Sequence, residues 1–301
     1  MLKRDFRSFK FAKKFKTDLL IGTSVENSHL TKYMGIPSIN VNEDDASAVP
    51  FYAKFSYPWA SVILSPVVCD NDKWNNKTIK YPGYHELAYL HPNHFKPDKN
   101  IVKKYICPDN KYFIIRFAKL KAHHDKGVKG INKDIALILI EILKPYGKIY
   151  ITSERILEPV FEQYRMTINP LDMHHVMAYA ELYIGDSQTM AAEAGVLGTP
   201  FIRFNDFVGR IGYLNELEDV FKLGAGIKPN EEKRLFTTVK EMVNTNNLKM
   251  IYQERRQKML TQKIDTASFF TWFIHNYPNS INIMKEDINI FEKLHYHPTF
   301  I

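Results

Sequence analysis

Residues 183–205, YIGDSQTMAAEAGVLGTPFIRFN, constrain the chain more than any other stretch. An apolar run ends in Gly185. A polar turn, a helix of small residues, a stop at Gly198 and a second apolar run follow. Ser and Asp favour a helix N-cap and Gly the left-handed stop after it, so the order is strand, cap, helix, stop, strand. A unit of that kind commits both strands to a parallel sheet, and the same alternation recurs along the chain. TDLLIGTS, GIPSINVN, SVILSPVV and TIKYP read as strands in the first third, and YFIIRFA, KIYITSE, MTIN, LYIGD and GAGIKP further on. Between them lie helical patterns: ENSHLTKYM, DASAVPFYAKFSYPWA broken near Pro50 and Pro58, INKDIALILIEILKPYG, ILEPVFEQY, MHHVMAYA and EEKRLFTTVKEMV. Strands without polar alternation, separated by helices, imply an α/β fold with doubly wound parallel sheets buried on both faces.

The turn before the small-residue helix carries the first candidate chemistry. With Asp186 and Ser187 at the N-cap, the amides of Gln188, Thr189 and Met190 lack intrahelical partners and open toward a phosphate. Glu193 lies six residues past Ser187, about 9 Å along the axis at ~1.5 Å per residue, roughly the span from a diphosphate to ribose hydroxyls. The plain alternative is that Ser187 only caps and Glu193 sits on a solvated face. Ligands in open α/β sheets bind outside the carboxyl ends of the strands. On that topology Arg116, Lys119, His123, His124 and Asp125, after YFIIRF, and Asp206, after FIRF, reach the same crevice. Their alternative is solvated loop. His174 and His175 read as ordinary packing or surface residues. His91 and His94 flank Pro92 without a clear third ligand, so no metal site is expected.

IGDSQTMAAEAGVLGTP resembles the nucleotide-binding segment of the GT-B superfamily, and in particular the DSGGxQEEAxxLGxP segment of non-hydrolysing UDP-N-acetylglucosamine 2-epimerases. Ser187 and Glu193 fall on that family's phosphate-contacting Ser and ribose-holding Glu, while Gln188 and Thr189 replace its two glycines. AHHDKG stands where those enzymes carry an HRRE-type motif, GTSVE where they carry a GDTTT-like turn, and NVNEDDA where they carry HVEAGLR. With KTDLLIG, GYHELAYLHPNHFKPD, IIRFAKLKAHHDKG, RFNDFVGRIGYLNELE and WFIHNYP, the chain is identified as a member of domain-of-unknown-function family 354, described as predicted glycosyltransferases. The resemblance implies a GT-B-like fold, two Rossmann-like domains facing a cleft, with the first two or three β-α units of the N-terminal domain absent. It divides the chain into an abbreviated acceptor-side domain with linker (1–100), a nucleotide-sugar-binding domain (101–263) and a helical tail (264–301) crossing back to the first.

The implied activity is transfer of a sugar from a nucleotide-activated, UDP-linked donor to an unknown acceptor in surface polysaccharide or glycoconjugate synthesis. Arg116, Lys119, Ser187, Gln188, Thr189, Glu193 and Asp206 would bind the donor, Glu43, Asp44 and His123 are the acid–base candidates, and no cofactor or metal is required. A 2-epimerase-like enzyme and a non-catalytic nucleotide-sugar-binding protein are the alternatives.

Charge admits such a ligand without selecting it. The net charge of +8 suits nucleotide sugars, anionic headgroups or nucleic acid, but no RNA- or DNA-binding motif stands in the sequence. Seven basic residues among the first sixteen, with Phe6, Phe9 and Phe15, form a basic amphipathic helix that either lies on an anionic leaflet or packs its aromatic face on its own sheet. No apolar run is long enough to span a bilayer, the N-terminus has no signal-peptide core, and Cys69 and Cys107 form no metal or disulfide pattern, so the expected location is cytoplasmic, with peripheral contact at the inner membrane face.

Overall fold

In the computed structural model, residues 2–107, 110–118, 130–286 and 290–291 are described. In chain order they form α1 (Leu2–Phe15), β1 (Leu20–Gly22), α2 (Val25–Met34), β2 (Ser38–Val41), α3 (Pro50–Ser56), β3 (Val62–Pro66), β4 (Thr78–Tyr81), α4 (Leu87–Leu90) and α5 (Lys99–Val102). There follow β5 (Tyr112–Phe117), α6 (Lys133–Leu143), β6 (Lys148–Ser153), α7 (Met173–Tyr179), β7 (Leu182–Gly185), α8 (Gln188–Leu197) and β8 (Phe201–Phe204). The last elements are α9 (Gly212–Asn215), β9 (Gly224–Ile227), α10 (Glu232–Asn244), α11 (Leu248–Leu260), α12 (Thr266–His275) and α13 (Asn279–Glu286). They sort into two units: Met1–His85 with Arg210–Tyr213 and Ile264–Ile301, and Glu86–Gly209 with Leu214–Lys263.

The first unit is built on a parallel sheet of order β1-β2-β3-β4. Successive residues of β3 point to opposite faces. Val62 and Leu64 join Ile39, Val41 and Tyr81 under Phe269, Trp272 and Phe273 of α12, whereas Ile63 faces Ala53 and Tyr57 at α3. Tyr81 meets Phe269 and Phe270 with ring centroids 5.3 Å apart in each case. Burying rings of this size contributes on the order of 2–3 kcal/mol apiece, which fixes α12 to the sheet although some two hundred residues separate it from β4. Polar groups beneath α3 are paired: Asn40 donates to Ser56 Oγ at 2.7 Å, and Asn42 donates to Tyr57 Oη at 2.7 Å.

The second unit carries the sheet β6-β5-β7-β8-β9, also parallel throughout. Ile151, Ile115, Ile184 and Ile202 stand in one row across four strands. Leu139, Ile140 and Leu143 of α6 and Leu235 and Val239 of α10 share their core. Mixed α/β architecture with parallel sheets is the fold class read from the alternation of elements.

Several local readings change. Pro50 opens α3 instead of breaking it, because the first helical position needs no N–H. ILEPVFEQY yields a 3-10 turn, Pro159–Tyr164, and MTIN forms no strand; the chain there only bridges Arg165 to Ile151. Residues 86–107 carry α4 and α5 and group with the second unit. The aromatic face of α1 does not pack on a sheet. Ala12 is its buried contact with neighbouring structure, while Phe6, Phe11 and Phe15 are 60%, 63% and 65% exposed.

Candidate functional site

β7 delivers the chain to a turn, and the turn divides its two polar residues between different tasks. Ser187 is the N-cap of α8, in extended backbone, and its hydroxyl accepts from Met190 N at 3.4 Å. Asp186, expected beside it at the cap, turns instead toward the segment after β5. Its carboxylate accepts from Ala118 N at 2.6 Å and Ile131 N at 3.2 Å. It is 1% exposed, and burial pushes its pKa up to about 6, against the opposing effect of the Ala118 amide and Arg155. Asn205, buried after β8, donates to Asp186 O at 3.0 Å and accepts from Phe207 N at 2.9 Å, so the ends of β7 and β8 are locked together.

Arg116 lies in register with Gly185, next to the strand end that leads into Ser187. Its guanidinium donates to Glu154. Gly185 has no room for a side chain, since a Cβ there would come within 2.4 Å of the Tyr183 hydroxyl. That hydroxyl is fully buried under the turn and makes no well-formed hydrogen bond among the described residues. Burial raises its pKa well above the ordinary phenol value. Gln188 is half-buried and Thr189 exposed at the helix mouth. Gly198, at φ 75°, closes α8 as its left-handed C-cap.

Glu193 does not sit on a solvated face. It is 9% exposed; its Oε1 accepts from Tyr89 Oη at 2.9 Å and lies 3.0 Å from His174 Nε2, at ion-pair distance. Neither partner was visible as a site residue in the sequence. Tyr89 lies in GYHELAYLHPNHFKPD, a stretch that carries only the family resemblance, and the composition around His174 fits packing or surface. Asp206 is exposed, one residue past Asn205. Lys119 and His123, with His124 and Asp125, lie outside the described residues. A further buried ion pair, Arg203 with Glu218, stands behind β8: Nε to Oε1 at 2.8 Å and Nη2 to Oε2 at 3.1 Å. The fully buried strand FIRF hides this guanidinium from any reading by hydrophobic pattern.

In the first unit, Glu43 follows β2 and His85 follows β4, both at carboxyl ends of strands. Glu43 Oε2 accepts from His85 N at 3.0 Å and Oε1 lies 3.3 Å from His85 Nδ1. His85 Nε2 makes no hydrogen bond among the described residues. Asp44 is half-buried on the same turn, and its neighbour Asp45 accepts from Asp70 N and from Gly212 N. Glu43 is legible in the sequence as an acid–base candidate; the histidine that faces it is not. Among the described residues no cluster of His, Cys, Asp and Glu is arranged to hold a metal ion.

The family profile described as "Protein of unknown function (DUF354)" matches residues 2–278. The chain belongs to this family. No curated protein matches it by sequence. Among solved structures, S. aureus MnaA in its co-structure with UDP is 14% identical with a TM-score of 0.64, over 95% of this chain and 82% of that one. The Methanocaldococcus jannaschii UDP-GlcNAc 2-epimerase, in complex with UDP-GlcNAc and UDP, is 16% identical with a TM-score of 0.57, over 85% and 79%. The spinosyn forosaminyltransferase SpnP is 9% identical with a TM-score of 0.53, over 92% and 78%. At such identities the likeness is one of fold: this member of the family has the Rossmann-like α/β fold of GT-B glycosyltransferases and UDP-GlcNAc 2-epimerases.

Proposed function

We propose that the chain is a GT-B-type glycosyltransferase that moves a sugar from a nucleotide-activated, UDP-linked donor to an acceptor hydroxyl, in surface polysaccharide or glycoconjugate synthesis. The observation that carries this reading is a capped helix mouth at Ser187 with a buried, oriented carboxylate, Glu193, deeper in the same helix. The mouth of α8, with Ser187, Gln188 and Thr189, takes the diphosphate; Arg116 stands beside it, with Lys119 on the following segment, and Asp206 at the rim. Glu193 accepts from the ribose. As the acceptor oxygen attacks the anomeric carbon, the bond to the diphosphate breaks and its electron pair leaves with the nucleotide. The helix dipole and basic side chains stabilise that charge without a metal or other cofactor. The acceptor proton goes to a base. Among the candidates Glu43, Asp44 and His123, Glu43 faces His85, and His85 oriented by Glu43 fits the task.

The Glu43–His85 pair, with the acids Asp44 and Asp45 next along the chain, favours a second reading, epimerisation at C2, which needs carboxylates and a histidine around the sugar. Incubation with UDP-N-acetylglucosamine separates the two: an epimerase yields the C2 epimer or free UDP, a transferase neither until an acceptor is added. Calorimetry of Glu193→Ala tests the site itself, with UDP affinity expected to fall roughly 10- to 100-fold for a lost charged hydrogen bond. Unchanged affinity would refute the assignment. Residence at the cytoplasmic face of the membrane is part of the proposal. It is supported by the exposed phenylalanines of α1 among lysines and arginines, a pattern suited to anionic headgroups. Among the described residues no helix is long and apolar enough to cross a membrane.

A further inference from the structure

Three helices meet at one oxygen atom. Tyr89 on α4 and His174 on α7 both point at Oε1 of Glu193 on α8, at 2.9 and 3.0 Å. A carboxylate oxygen offers two lone pairs; Tyr89 donates into one, and the His174 ring nitrogen crowds the same oxygen at ion-pair distance. Any further hydroxyl must therefore bind Oε2, which carries no hydrogen bond among the described residues, in a side chain that keeps 11% of its surface exposed. The donors are themselves held. The rings of Tyr89 and His174 lie 5.6 Å apart between centroids, and Phe95 closes on His174 edge-on at 6.1 Å. A free Glu side chain surrenders up to about 2 kcal/mol of rotamer entropy when a ligand immobilises it; this one is immobilised beforehand, so that cost no longer weighs on binding.

We propose that Tyr89 and His174 are positioning residues that fix Glu193 so that its remaining oxygen reads the ribose 2′-hydroxyl, making the site selective for ribonucleotides over 2′-deoxyribonucleotides. The inference rests on Glu193 being the ribose acceptor, as proposed above. A pre-aimed carboxylate left without its hydroxyl is a buried acceptor with nothing to accept, and that penalty falls on the deoxy ligand alone.

The test is the ratio of UDP to 2′-deoxy-UDP affinity, measured by titration calorimetry on the whole chain. Wild type is expected to favour UDP by roughly 10- to 100-fold, the range for a hydrogen bond to a charged group. Tyr89→Phe and His174→Ala each release Glu193 and lower that ratio about three- to tenfold, whereas His174→Gln, which keeps a donor, restores most of it. A role in packing alone would weaken both ligands equally and leave the ratio where it was. Should His174→Ala not fold, Tyr89→Phe, which removes only a hydroxyl, decides the matter. Binding of UDP and 2′-deoxy-UDP with equal affinity by wild type, or a ratio unmoved in the variants, overturns this inference and leaves the nucleotide site standing. Binding of neither nucleotide by wild type overturns both.

Discussion

Replacing Asp186 by asparagine should change how the second unit responds to pH, and the sign follows from burial. In the folded chain the carboxyl titrates at about 6 instead of 3.8, chiefly because it is buried. A rise of that size corresponds to about 3 kcal/mol at 1.36 kcal/mol per pKa unit. Between pH 4 and 6 the folded state holds a proton that the unfolded state has released, so stability falls as pH rises through this window. Below pH 4 the contribution is fully present, and above pH 6 it is gone. Asparagine does not titrate. It retains an acceptor for Ala118 N but offers an amide to Ile131 N, where the carboxylate had offered a second oxygen. Wild type should therefore exceed Asp186→Asn in stability by about 3 kcal/mol more at pH 4 than at pH 7. The measurement is a series of urea melts at fixed pH followed by far-ultraviolet circular dichroism. Tryptophan fluorescence would miss the effect, because Trp59, Trp74 and Trp272 all lie in the first unit. Stability curves for the two proteins that run parallel from pH 4 to 7 would refute the reasoning.

The Arg203–Glu218 pair gives a sharper stability contrast: Arg203→Met strands a carboxylate that is 7% exposed and should cost about 3–5 kcal/mol, whereas adding Glu218→Met should recover most of it in the same melts. His85→Ala should lower turnover roughly 10²- to 10⁴-fold, the usual contribution of a positioned base, and leave UDP affinity by calorimetry unchanged; equal losses in both would assign it to binding. Replacing Phe6, Phe11 and Phe15 of α1 by serine should weaken sedimentation with phosphatidylglycerol-containing vesicles, and raised salt should do the same to wild type, because screening shortens the reach of the lysines. Retention of the triple variant on vesicles would assign any binding to another surface.

Much of the architecture could be read along the chain because its signals are local. Gly185, the cap at Ser187, the run of alanines and Gly198 lie within fourteen residues, and they become β7, α8 and its left-handed stop. Apolar strands spaced by helices sufficed for parallel sheets, since β-α-β connectivity leaves little else. Where two local signals competed, tertiary context decided. Pro50 fits equally a break or a first helical position, and MTIN has strand composition but lies where the sheet edge is taken up by a single bridge at Arg165.

The residues that give the candidate site its character were hidden for a different reason. Tyr89 stands 104 positions before Glu193, and nothing in the spacing of either foretells that a hydroxyl and a carboxylate will meet at 2.9 Å. Asp186 and Ser187 are neighbours with interchangeable capping propensity, yet one caps α8 and the other ties Ala118 to Ile131, a choice made only when β5 and β7 lie side by side. Sequence alone determined most of the strands and helices, because these depend on periodicity and caps within a few residues. Tertiary structure alone decided which polar side chains are buried together, because burial and its pairing depend on elements that approach one another only once the sheet has formed.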